Sequence, residues 1–132
     1  MKAFVTATAI AACLIAAIPR PALAQDLPHF QCYQVKTDQP VRVKTHKLRD
    51  QFGSVAAQVT LRPRLLCAPT DKDGEEPKLD VNGLHLLCYS VTEDGNKAKG
   101  TKVGVSNQFG SAKLVVTDPT ILCVPTKKKV LQ

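Results

Sequence analysis

The chain contains no tryptophan and only four Phe and two Tyr among its 132 residues. Carbohydrate recognition by ring stacking is therefore poorly supplied, since such sites present aromatic faces to the sugar. The constellations of common catalysts are missing too. Ser54, Ser90, Ser106 and Ser111 stand in no G-x-S-x-G turn, and the three histidines form no evident triad with a nucleophile. Neither a glycine-rich phosphate cradle nor a dinucleotide fingerprint appears. Helical periodicity is poorly supported beyond the N-terminal segment, and only one long apolar run occurs, Ala3 to Ile18. The expectation is a protein that is not an enzyme, binds no cofactor and has no transmembrane helix in its mature form.

That apolar run follows Lys2 and leads to Ala22-Leu23-Ala24, an A-x-A cleavage site, so residues 1–24 read as an export signal and the mature chain as beginning at Gln25. Ile10-Ala11-Ala12-Cys13 also resembles a bacterial lipobox, which makes lipid anchoring through Cys13 the minor alternative to a secreted or periplasmic protein. Loss of the signal removes Lys2 and Arg20 from 18 basic against 11 acidic residues, leaving a net charge of about +5. That charge suits weak attraction to anionic polymers. It is not the footprint of a specific nucleic-acid binder.

Two stretches of the mature chain spell the same phrases in the same order. "HFQCYQV" at His29 to Val35 returns as "HLLCYSV" at His85 to Val91, an offset of 56 residues. "DQFGS" at Asp50 to Ser54 returns as "NQFGS" at Asn107 to Ser111, and "RPRLLCAPT" at Arg62 to Thr70 returns as "DPTILCVPT" at Asp118 to Thr126. Order-preserving matches of this extent indicate an internal duplication: repeat 1 (29–70) and repeat 2 (85–126), joined by a polar loop (71–84) within a single domain, 25–132.

Each repeat spaces its cysteines by 35 residues, which favours disulfides Cys32–Cys67 and Cys88–Cys123 in an exported chain. The swapped arrangement, Cys32–Cys123 with Cys67–Cys88, is also compatible with the duplication.

Val55, Ala57, Val59 and Leu61 alternate with other residues, as do Ala112, Leu114 and Val116, so the pattern is that of strands. About four short strands per repeat are expected, with Pro63 and Pro119 at an edge or strand entrance. Two such units bury their apolar faces against each other, giving an all-β, disulfide-stapled sandwich or barrel with pseudo-twofold symmetry. In the repeated phrase Asp50 or Asn107 starts a turn, Gly53 or Gly110 supplies positive φ, and Phe52 or Phe109 caps the core.

Three candidate sites remain. His29-x-x-Cys32 and His85-x-x-Cys88 would ligate a metal only with reduced cysteines, and residues three apart on a strand point to opposite faces. Asp71-x-Asp73-Gly74 has too few carboxylates for a calcium loop. Arg42 and Lys44, with Arg62 and Arg64 in the same half, are the best binding candidates, for an anionic envelope polymer or an extracellular protein.

The combination H-x-x-C-Y, D/N-Q-F-G and L-C-x-P-x-x-K resembles a repeated module of exported bacterial proteins whose function is unknown. It is carried here by His29, Cys32, Tyr33, Asp50, Gln51, Phe52, Gly53, Leu66, Cys67, Pro69 and Lys72. The second copy comprises His85, Cys88, Tyr89, Asn107, Gln108, Phe109, Gly110, Leu122, Cys123, Pro125 and Lys128. The resemblance implies an extracytoplasmic all-β module without catalytic residues. The functional expectation is a secreted binding or structural protein of the cell envelope or exterior. A metal-binding protein using His29 and His85, or an inhibitor of a secreted enzyme, are the alternatives.

Overall fold

The computed structural model describes residues 28–95 and 98–131, so the expected export signal and the lipobox cysteine lie outside the described residues. Seven strands and no helix make up these residues: β1 (His29–Gln34), β2 (Val43–Asp50), β3 (Gly53–Thr70), β4 (His85–Glu93), β5 (Lys102–Asn107), β6 (Gly110–Val115) and β7 (Ile121–Thr126). Among the described residues no helix is long and apolar enough to cross a membrane.

The repeated phrase builds the same turn twice. Asp50 pairs with Gly53 across the β2–β3 hairpin and Asn107 with Gly110 across β5–β6. The Asp50 Oδ1 accepts a hydrogen bond from the Phe52 backbone N–H at 2.8 Å, and the Asn107 Oδ1 accepts one from the Phe109 N–H at 2.8 Å. A short polar side chain satisfies the turn's amide, and the glycine that closes it stands at φ +140° or +121°, where a Cβ is strained.

The main sheet runs β1-β3-β4-β7, with β2 also paired to β3, and it is open rather than closed into a barrel. All of its pairings are antiparallel. β3 is central: its first half pairs with β2, its second half with β1, and β4 lies along its other edge. The sequence offset carries β1 onto β4 and the C-terminal part of β3 onto β7. The pseudo-twofold relation expected between the repeats is, for these strands, a step of two strands along one sheet.

β3 is one strand where the sequence pattern predicts two. Its 18 residues pass Pro63 without interruption because the register shifts on either side of that residue. A bulge is one of the few places where a central strand accepts a residue lacking an N–H. Pro63 therefore sits inside a strand, not at its entrance. In the second half one residue fewer separates the glycine from the cysteine, and the chain breaks at Asp118-Pro119 into β6 and β7.

The apolar core is small. Ala57, Val59 and Val91 are buried, Val59 lying directly opposite Val91, with Leu48, Leu61, Tyr89 and Leu122 packed around them. Full burial of a Val contributes about 1.5–3 kcal/mol, so this cluster alone is modest support. Phe109 caps no core; it is 80% exposed, and every residue of β6 is exposed. Phe52, the matching residue, is partly buried and lines a cleft with Leu48, Val55, Val116 and Pro119.

Disulfides hold the remainder. Cys32 joins Cys67 and Cys88 joins Cys123, each between directly opposed residues of neighbouring strands. Cys67 (2% exposed) and Cys88 (fully buried) bring their Sγ atoms to 3.8 Å across the β3–β4 junction, while Cys32 and Cys123 are exposed. The two cystines thus form one row across β1, β3, β4 and β7. The structure selects the pairing within each repeat over the swapped one.

Candidate functional site

The bulge in β3 has a chemical consequence. By carrying Arg62 and Arg64 past Pro63, it sets both exposed guanidinium groups beside an open cleft of about 710 Å³. The segment after β1 supplies Lys36 and Thr37 to the same cleft, and β4 supplies Ser90. Three cationic side chains therefore share one cavity, and among the described residues no carboxylate lines it.

Each guanidinium is held by a neighbour. Arg62 donates from Nη2 to the Thr37 carbonyl at 3.1 Å, and Arg64 Nη1 lies 3.4 Å from the Ser90 hydroxyl. A guanidinium has five N–H donors in a rigid fork, so these contacts fix orientation while leaving donors for a carboxylate or phosphate. The arrangement is suited to binding an anion.

The four basic residues singled out in the sequence do not all converge. Arg62 and Arg64 line the cleft; Arg42 and Lys44 do not. Arg42 precedes β2 and its carbonyl accepts a hydrogen bond from the Leu61 N–H at 2.7 Å, which places its backbone next to Arg62. Lys44 lies further along, opposite Val59. Lys36 escaped sequence reasoning because it stands in no alternating pattern; it reaches the cleft because Val35 N–H donates to the Arg64 carbonyl.

The metal alternative loses its thiolates, because all four cysteines of the repeats are consumed in disulfides. Its histidines are separately engaged. Nδ1 of His29 lies 2.7 Å from Glu76 Oε1, and the Gln108 amide lies 3.0 Å from His29 Nε2. His85 is fully buried with Nδ1 2.9 Å from the Gly83 carbonyl, and among the described residues its Nε2 has no hydrogen-bond partner. Among the described residues no group of three or more His, Cys, Asp or Glu side chains converges on one point.

In the loop joining the repeats, Lys72 Nζ lies 2.7 Å from Glu75 and 3.2 Å from Asp73. Hydrogen bonds to Glu75 first and Asp73 second raise the pKa of this ammonium. The same ammonium stands 5.8 Å from the centre of the Phe109 ring, so the β5–β6 tip meets the main sheet through Gln108 on His29 and the connecting loop through Phe109 beside Lys72. Compared with protein-family models, curated proteins and solved structures, the chain matches none.

Proposed function

We propose that this protein is a secreted or periplasmic, non-catalytic β-module of bacterial type that binds an anionic envelope polymer through the cleft formed by Lys36, Arg62 and Arg64. The observation that carries the reading is the meeting of these three cations, from two separate segments, in a cavity of about 710 Å³ that no carboxylate lines among the described residues. Two cross-strand disulfides support an oxidising compartment outside the cytoplasm. The export signal read in residues 1–24 and the resemblance to an exported bacterial module point the same way.

Carboxylate or phosphate groups would meet the guanidinium forks through charge-assisted, bidentate hydrogen bonds. Binding energy of this kind falls with salt. If each neutralised charge contributes as it does on a nucleic-acid strand, log K falls by about 0.7–0.9 per contact for each decade of salt.

The test is calorimetric titration with a polyuronate and with polyphosphate at several salt concentrations. Lys36→Gln/Arg62→Gln/Arg64→Gln should abolish binding, while Lys127→Gln/Lys128→Gln/Lys129→Gln should preserve it. Equal loss in both variants would reduce the effect to net charge and defeat the assignment to the cleft.

A further inference from the structure

We infer that the outer edges of β1 and β7 are complementary, and that copies of this chain associate head to tail by pairing β7 of one with β1 of the next. The inference goes beyond anion binding and rests on the junction between β3 and β4. There the first half of the chain presents the edge of β3, and the second half docks its first strand against it. β7 is the counterpart of the C-terminal part of β3, and β1 is the counterpart of β4. Among the described residues each of these strands is paired on one side only.

The register follows from the internal one. Leu65, Leu66 and Cys67 pair with Cys88, Leu87 and Leu86. Shifted by 56 residues, the same pairing sets Ile121, Leu122 and Cys123 of one copy opposite Cys32, Gln31 and Phe30 of the next.

Hydrogen-bonding directions agree with this. Val35 N–H donates to Arg64, so by antiparallel alternation Phe30, Cys32 and Gln34 direct their backbone groups away from β3. Val91 N–H donates to the Thr120 carbonyl, so Ile121 and Cys123 direct theirs away from β4.

Burial distinguishes matched positions. Cys67 and Cys88 are buried at the internal junction, whereas their counterparts Cys123 and Cys32 are exposed. Tyr89 packs against the core, and its counterpart Tyr33 is 52% exposed.

Neither edge carries a charge, and the one proline of these two strands, Pro125, lies beyond the three β7 residues that the register pairs. Natural sheets blunt exposed edges with charge, and β2 does so with Lys44, Lys47, Arg49 and Asp50. β1 and β7 contain no Lys, Arg, Asp or Glu. A heterologous contact of this kind builds assemblies of many copies, rings where its rotation closes and open chains where it does not.

The test uses two variants that each remove an outward N–H from one edge. Phe30→Pro disables the β1 edge and Ile121→Pro the β7 edge; proline is tolerated where the N–H of an edge strand faces solvent. By sedimentation, the unaltered protein should at least double its average mass between about 10 μM and about 1 mM, a range that covers weak association. Each variant alone should stay monomeric, and their mixture should stop at a dimer. Amide exchange at Cys32 and Cys123 should slow in that dimer, with Gln31 and Tyr33 unchanged. Unaltered protein that remains monomeric throughout overturns the inference whether or not the variants fold. Dimers formed by either variant alone overturn it as well, because they require like edges to pair.

Discussion

Removal of one disulfide should cost nearly the same stability whichever is chosen, and the structure says how much. Cys32–Cys67 and Cys88–Cys123 each span 35 residues, and the two loops neither overlap nor nest. In the chain-entropy treatment, opening a loop of that length returns about 13 cal/mol/K to the denatured chain, or about 4 kcal/mol at 25 °C. Local surroundings are matched as well, since each cystine has one buried and one exposed half. Urea unfolding of Cys32→Ala/Cys67→Ala and Cys88→Ala/Cys123→Ala should therefore show similar losses. Both m-values should rise, because a denatured chain freed of a cross-link exposes more surface. Removing both disulfides should cost about 8 kcal/mol, which is comparable with the whole stability of a small domain, about 5–15 kcal/mol, and should leave the chain unfolded. Single losses below about 1 kcal/mol, or two losses differing by more than about 2 kcal/mol, would refute the loop-closure argument and assign stability to local packing instead.

The repeated turn should respond differently in its two settings. Asp50→Ala removes the bond to the Phe52 N–H at the β2–β3 hairpin, next to the core, and should cost about 0.5–1.5 kcal/mol in urea unfolding. Asn107→Ala removes the matching bond on the exposed β5–β6 hairpin; global stability should hardly change while amide exchange within β5–β6 accelerates. Gly53→Ala places a Cβ at φ +140° and should cost about 1–2 kcal/mol by thermal melting. His85→Ala empties a fully buried position and should cost about 2–4 kcal/mol, read by urea unfolding.

Much of this architecture was legible because it rests on local chemistry. An Asx residue two places before an amide that needs an acceptor, followed by glycine, specifies the hairpin turn in both copies, and both form it. The disulfides were legible from equal spacing. What escaped is non-local. Whether Pro63 ends a strand or rides through it depends on the bulge between β3 and β4, and no residue near Pro63 announces that pairing. Phe52 and Phe109 occupy the same position in the phrase, yet one lines a cleft and the other is exposed, because their hairpins meet different neighbours.

The cleft shows the same division. Arg62 and Arg64 could be marked as candidates from composition, but Lys36 belongs with them only through the backbone bond from Val35 to Arg64. Arg42 and Lys44 are candidates beside Arg62 and Arg64 in the sequence, yet neither lines the cavity. Charge read along one strand identifies a face. Charge brought together by pairing identifies a site.

One physical circumstance connects the cystine row with the open edges. The apolar cluster of Ala57, Val59 and Val91 occupies the part of the main sheet where β3 meets the end of β4. Leu122 carries β7 onto this cluster, but among the described residues no second buried apolar cluster lies toward β1, and the cross-strand disulfides tie the outer strands to the sheet. The inner halves of those disulfides are buried because a neighbouring repeat lies on them; the outer halves are exposed because none does. A sheet edge whose residues match interior positions carries the hydrogen-bonding directions and apolar side chains of an interior strand. The match between the two halves therefore leaves complementary edges on β1 and β7, each presenting both N–H and C=O groups outward. Each is shaped by the sequence match to receive what the β3–β4 junction already holds.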